Sequence, residues 1–216
     1  MKWLSGLLAF AAAAAIYGFT NRFIFFEPRL LPLTWIDLAI PLLPGTIWLY
    51  LSAFLFLPVT FHLTTAPKRR NILLFLGIVG LSAIFFVLFP IRFPRELYPL
   101  LPDSAPLTLS VFEWLRQVDA PVNCFPSLHA SVVTFSLINF KASNEFHGGW
   151  RKRGLIMGLE LWATLVIIST LTTKQHYWVD TAAGVLLGYA AFKLGCLIYV
   201  PKPNHGSTSK PEASTL

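Results

Sequence analysis

The 216-residue chain is 55% hydrophobic and 15% aromatic but only 12% charged, and its mean hydropathy is +0.63. A soluble domain carries about 25% charged residues, so the composition excludes an ordinary water-soluble protein, and the length leaves no room for a second folded domain beside a set of membrane spans. A net charge of +7 reads as basic loops at lipid headgroups; without a Gly-rich phosphate loop or a basic–aromatic array, nucleic acid is not an expected partner.

Charged residues punctuate the chain and so define the spans. Asp, Glu, Lys and Arg are absent from residues 3–21, 38–67, 71–91 and 120–140, and Glu160 alone interrupts 154–173. A spanning helix needs about 20 apolar residues. Six spans are therefore predicted, at about 3–20, 46–63, 72–90, 126–140, 154–172 and 178–199. Pro41, Pro44 and Gly45 delay the second until Thr46, and the fourth opens with several polar residues. The first run is long for a signal-peptide core, and no small-x-small site in it precedes a clear polar mature start, so it is read as a retained span. Between spans three and four, apolar Leu107, Val111, Leu115 and Val118 form a stripe that predicts an interfacial amphipathic helix carrying Arg116. Glu160 is expected to snorkel toward Arg151–Arg153. Gly184 and Gly188 would let a neighbouring helix approach closely. One domain covers residues 1–200, and the polar, Pro/Ser-rich stretch 201–216 reads as a disordered cytoplasmic tail.

With six spans, Lys2, Lys68–Arg70, Lys141, Arg151–Arg153, Lys193, Lys202 and Lys210 fall on one side. Arg22, Arg29, Arg92, Arg95, Arg116 and Lys174 fall on the other. The basic majority faces the cytoplasm, so both termini are expected there.

Two polar motifs then share the non-cytoplasmic side: Pro126-Ser127-Leu128-His129 and Lys174-Gln175-His176-Tyr177-Trp178-Val179-Asp180. Ionisable groups at the edge of hydrocarbon are expensive and usually functional. His176 and Asp180 are four residues apart and share a helix face; a carboxylate that holds an imidazole makes it a better nucleophile or base. His129, from another span, could supply or remove a proton. Cys124 and Cys196 show no Cys-x-x-Cys spacing and predict no disulfide framework.

Pro126-Ser127-Leu128-His129 resembles the Pro-Ser-x-His motif of the type 2 phosphatidic acid phosphatase superfamily. His176 to Asp180 is similar to the end of that superfamily's Ser-Arg-x-x-x-x-x-His-x-x-x-Asp motif, and six spans match its fold. The resemblance runs from about Leu88 to Gly188. It implies metal-independent phosphoryl transfer through a phosphohistidine: His176 attacks phosphorus, Asp180 orients it, His129 protonates the leaving oxygen and Ser127 helps bind phosphate. The chain departs from the pattern twice. The first motif, Lys-x-x-x-x-x-x-Arg-Pro, is absent, and Thr170 follows Ser169 where arginine is expected. Lys174 is the expected substitute cation. The resulting Ser-Thr-x-x-x-Lys-Gln-His form resembles the branch that includes inositol phosphorylceramide synthases.

Phosphoryl transfer is mostly positioning plus cationic stabilisation of charge on the equatorial oxygens. Arg92, Arg95 and Lys174 are three candidate cations on the same side. The sequence thus predicts an all-α, six-span membrane enzyme with no cofactor and no metal, acting on a lipid phosphate at the non-cytoplasmic face. Hydrolysis is the first expectation and exchange of a phospho-headgroup between lipids the second. A non-catalytic lipid or anion transporter is third, since transport needs no nucleophile–carboxylate pair.

Overall fold

A computed structural model describes residues 4–100, 105–143 and 150–198. The tail 201–216, and the first and last residues of the outermost predicted spans, lie outside them. The described residues form eight α-helices: α1 (Leu4–Arg22), α2 (Trp35–Ala39), α3 (Ile47–Leu63), α4 (Lys68–Leu88), α5 (Pro106–Val118), α6 (Leu128–Ser143), α7 (Trp150–Thr172) and α8 (Trp178–Ile198). Two short parallel strands, β1 (Arg29–Leu30) and β2 (Ile91–Arg92), join the loops that follow α1 and α4.

Four helices are long and apolar enough to cross a membrane: Pro44–Leu63 (α3 with its leading turn), α4, α7 and α8. Only 28–33% of each spanning window is buried, and outward side chains such as Leu155, Leu186 and Leu197 are apolar. Apolar faces of that extent need a lipid partner. Predicted spans one and four also appear as helices, 19 and 16 residues long. At 1.5 Å per residue, α6 is about 24 Å long, short of the roughly 30 Å hydrocarbon core.

The environment of α6 explains its unusual composition. This helix packs on α8, α7, α3 and α4, and residues 130–136 are buried without interruption. A helix enclosed by other helices has no lipid-facing stripe to keep apolar, so Ser131, Thr134 and Ser136 are tolerated. Its closest neighbour is α8. A Cβ on Gly184 would collide with the Ser127 carbonyl and sit 2.9 Å from Ala130 Cβ; one on Gly188 would collide with the Ser131 carbonyl. The expected packing role of both glycines is therefore borne out.

The amphipathic helix expected at 107–118 is α5, where Arg116 donates to Tyr98 O at 2.9 Å and lies over the Phe112 ring. Glu160 corrects its expectation: it pairs with Lys141 of α6 rather than with Arg151–Arg153, because the α6–α7 contact brings that ammonium nearer than its own helix start.

Candidate active site

The site forms where helix ends meet: the C-terminal ends of α1, α4 and α7 and the N-terminal ends of α3, α6 and α8. Ser127 ties the start of α6 to α8: its N donates to Asp180 O at 3.0 Å, while its Oγ accepts from Ala130 N at 3.4 Å and caps α6. Helix N-termini carry partial positive charge, so α6 and α8 both make the region favourable to an anion.

His176 lines a small polar cavity of about 10 Å³, room for roughly one water, together with Tyr17, Tyr50, Arg95, Asp119 and Gln175. Its Nδ1 is 3.0 Å from Cys124 O and 3.7 Å from Asp180 Oδ2. A carbonyl can only accept, so Nδ1 carries the proton and Nε2 carries the lone pair. Asp180 is fully buried, accepts from Tyr177 N at 2.9 Å through Oδ2, and leaves Oδ1 without a hydrogen-bond partner. His176 precedes α8, and its Nδ1 lies near Asp180 but beyond hydrogen-bond distance; Cys124's backbone carbonyl is the closer partner that spacing did not show.

His129 opens α6. Its ring stacks on Tyr50, with centroids 4.1 Å apart, and meets Phe54 edge-on. Its Nε2 is buried without a hydrogen-bond partner. His129 is not among the residues lining the His176 cavity; Tyr50 lines that cavity and stacks on His129. On its far side His129 borders an almost wholly apolar cavity of about 250 Å³ between α1, α3, α4 and α6.

The three expected cations part company. Arg95 is 8% exposed; it donates to Asp119 O at 2.6 Å, to Asp119 Oδ2 at 3.2 Å and to Gln175 Oε1, and its Nε has no partner. It lines the His176 cavity. Lys174, the expected substitute for the missing arginine, is not among the lining residues. Its Nζ donates to Asp37 O at 2.8 Å and Ile40 O at 2.5 Å, closing the C-terminal end of α2, and lies 4.4 Å from the Tyr98 ring centroid. The turn that sends it there has Lys174 at φ 54°, a left-handed conformation that is uncommon outside glycine. Burial lowers the ammonium from its ordinary pKa, opposed by the charge of Asp37. Arg92 pairs with Glu96 on the surface, its side chain 39% exposed. Ser127 is wholly buried as the α6 cap and is likewise away from the cavity lining.

Thr170, at the position of the missing arginine, bonds Thr181 of α8 at 3.0 Å, while its carbonyl accepts from Gln175 N and His176 N. It shapes the turn and carries no charge. Tyr177 staples the turn to β2 and to the residue after β1, donating to Arg92 O at 3.0 Å and accepting from Leu31 N at 3.2 Å. Burial pushes its phenol up to about 12, so it stays a donor.

Sequence reasoning missed Asp119 and the α1 residues that hold it. Asp119 Oδ1 accepts from Tyr17 Oη at 2.7 Å and Asn21 Nδ2 at 3.2 Å, and Asn21 also exchanges bonds with Ala120. Their signal was polar side chains at the edge of an apolar run, the same signal that drew attention to the histidines. Spacing also missed a group of possible metal ligands: Cys124 Sγ, His176 and Asp180 lie within 4.8 Å of one another.

A bundle with four helices apolar and long enough to cross a membrane, whose ends gather a histidine, a buried carboxylate and an arginine, has the character of an integral membrane protein. The sequence pattern of the PAP2 superfamily matches residues 45–194, and the chain belongs to that superfamily. Its members are phosphatases and phosphotransferases. The match includes α3 to most of α8, and with them both histidines and Arg95. No curated protein matches the chain significantly.

Proposed function

We propose that this protein is a membrane lipid phosphatase that cleaves a lipid phosphate or diphosphate through a phosphohistidine on His176. The observation that carries the reading is the cavity lined by both Arg95 and His176, whose Nδ1 is engaged by the Cys124 carbonyl so that Nε2 holds the lone pair. Nε2 attacks phosphorus. Arg95, whose fork suits bidentate phosphate oxygens, balances the equatorial charge, and the N-termini of α6 and α8 add to the field. Asp180 and the Cys124 carbonyl hold the ring and offset the positive charge it gains. His129, with its free Nε2, protonates the leaving oxygen, and in the second half-reaction takes a proton from the attacking water. Such a group contributes roughly 10²–10⁴-fold. The apolar cavity beside His129 suits the hydrocarbon chain of a substrate whose phosphate enters the polar cavity. No residue of this scheme requires a metal or cofactor.

Six spans, including α1 and α6, with both termini cytoplasmic and the site on the opposite side, complete the proposal; the distribution of basic loops supports it. Headgroup transfer is the second reading. Gln175 belongs to the synthase-like Lys174-Gln175-His176 signature and reaches Arg95 inside the cavity, where a hydroxyl acceptor could replace water.

Purified protein assayed on a panel of lipid phosphates, diphosphates and phosphodiesters decides between them. Phosphate release from a monoester or diphosphate, with an acid-labile phosphoprotein trapped in alkali, is expected. Headgroup exchange between labelled lipids without net release would replace hydrolysis by transfer. Neither activity on any substrate would sink both readings.

A further inference from the structure

The thiol of Cys124 takes no part in the scheme above, yet it sits against the nucleophile. Cys124 Sγ, a ring nitrogen of His176 and a carboxylate oxygen of Asp180 are mutually within 4.8 Å, and all three residues are buried. The thiol is in no disulfide, 2% exposed, and donates to Pro121 O at 3.2 Å or Gln175 O at 3.6 Å. Asp180 supplies an independent sign of an attracted cation: its Oδ1 is buried and accepts no hydrogen bond. An unsatisfied buried oxygen costs about 1–3 kcal/mol, more when charged, and a bound cation would remove that cost. Cys124 and His176 also line the cavity, which gives an ion its way in.

We propose that a thiophilic divalent cation of the zinc class binds Cys124, His176 and Asp180 and blocks phosphoryl transfer by taking the nucleophile. One thiolate, one imidazole and one carboxylate form a donor set that zinc accepts, with the fourth tetrahedral position left to water. Sulfur selects zinc or cadmium over magnesium and calcium, which take oxygen. With Zn–S about 2.3 Å and Zn–N about 2.0 Å, the donors must close by roughly 1 Å, within reach of side-chain rotation. The thiol proton leaves to water as the bond to metal forms. Whichever ring nitrogen is taken, the Nε2 lone pair is lost: it is occupied directly, or it is protonated once the proton of a metallated Nδ1 has moved across the ring. The blocking effect rests on His176 being the nucleophile, whereas ion binding does not.

The test uses the full chain carrying Cys196→Ser, so that Cys124 is its only thiol. Cd²⁺ titration should produce a thiolate-to-cadmium absorption band in the near ultraviolet, absent from Cys124→Ser and Cys124→Ala. Zn²⁺ should inhibit phosphate release, and Cys124→Ser, measured against its own metal-free rate, should need at least about tenfold more Zn²⁺ for half-inhibition. Absence of the band, or equal Zn²⁺ sensitivity of the two proteins, overturns the site. Because the band is read without substrate, a protein that binds Cd²⁺ through Cys124 but hydrolyses no lipid phosphate would refute the phosphatase reading and leave the ion site standing.

Discussion

Arg95 and Lys174 are both buried cations beside the 173–177 turn, and they face opposite ways. Arg95 looks into the cavity of His176, with Asp119 and Gln175 holding its guanidinium and its Nε left unengaged. Lys174 looks away, and its ammonium closes two carbonyls at the end of α2. A lysine is a point charge on a flexible stem and adapts to such a capping task; arginine's planar fork serves bidentate recognition of phosphate. The comparison teaches that proximity to His176 in sequence and a shared cavity with it in space are separate properties. Lys174 has the first and Arg95, some eighty positions away, has the second.

The largest expected effect removes the group that both cations flank. His176→Ala should abolish turnover and phosphoprotein trapping while leaving expression and thermal unfolding near wild type. Residual turnover near the wild-type rate would exclude His176 as the nucleophile. Next comes the cavity-facing cation. Removing one preorganised charge-stabilising donor costs about 10²–10³ in kcat, and Arg95→Ala should lose at least that. Arg95→Lys should recover part of it, since charge returns without the fork. Asp119→Asn should fall between them, because Arg95 keeps the Asp119 carbonyl but loses the paired carboxylate. An Arg95→Ala enzyme within a few-fold of wild type would show that phosphate is held elsewhere.

Much of the fold was legible because interruptions by charge set the span limits, and helices occur at all six predicted places. The start of α6 was blurred for a physical reason: a helix enclosed on all sides does not need the apolar composition by which spans are recognised. Its first turn waits for the Ser127 cap, after Pro126. The histidine motifs were legible from residue type and four-residue spacing. The cationic half was not, because the direction of a side chain in a turn depends on backbone dihedrals. Lys174 at φ 54° points away from the partner two residues on, whereas a regular helix would let spacing predict direction. Asp119 escaped notice because a carboxylate repels phosphate; its value lies in what it does for Arg95.

Lys174 should therefore behave as a structural residue. Lys174→Ala leaves two buried carbonyls without their donor, at about 1–3 kcal/mol, and should lower thermal stability more than kcat, contrary to the expectation for a phosphate ligand. Lys174→Gly sharpens the point. It removes the same donor but relieves the left-handed backbone, worth of order 1 kcal/mol, and should be the more stable of the two. A Lys174→Ala protein with wild-type unfolding but kcat down by orders of magnitude would return Lys174 to the phosphate site.

Arg92 should show the smallest effect, and it sets the baseline for the other two. It lies on the same side of the bundle as Arg95, in the same Arg92-Phe93-Pro94-Arg95 segment, and carries the same fork. What differs is its surroundings: the side chain is 39% exposed and paired with Glu96, and exposed pairs contribute about 0–1 kcal/mol. The segment keeps its place through groups that a side-chain change leaves intact, namely Arg92 O, which accepts from Tyr177, and Phe93 N, which donates to Pro121 O. Arg92→Ala should stay within a few-fold of wild type in kcat and in unfolding temperature, with any loss appearing in KM as weaker attraction of an anionic substrate. A kcat deficit matching that of Arg95→Ala would mean that the strand pair shifts to bring Arg92 over the cavity when substrate binds. The contrast between a cation that faces the phosphate and one that faces water would then have to be drawn inside the bound complex.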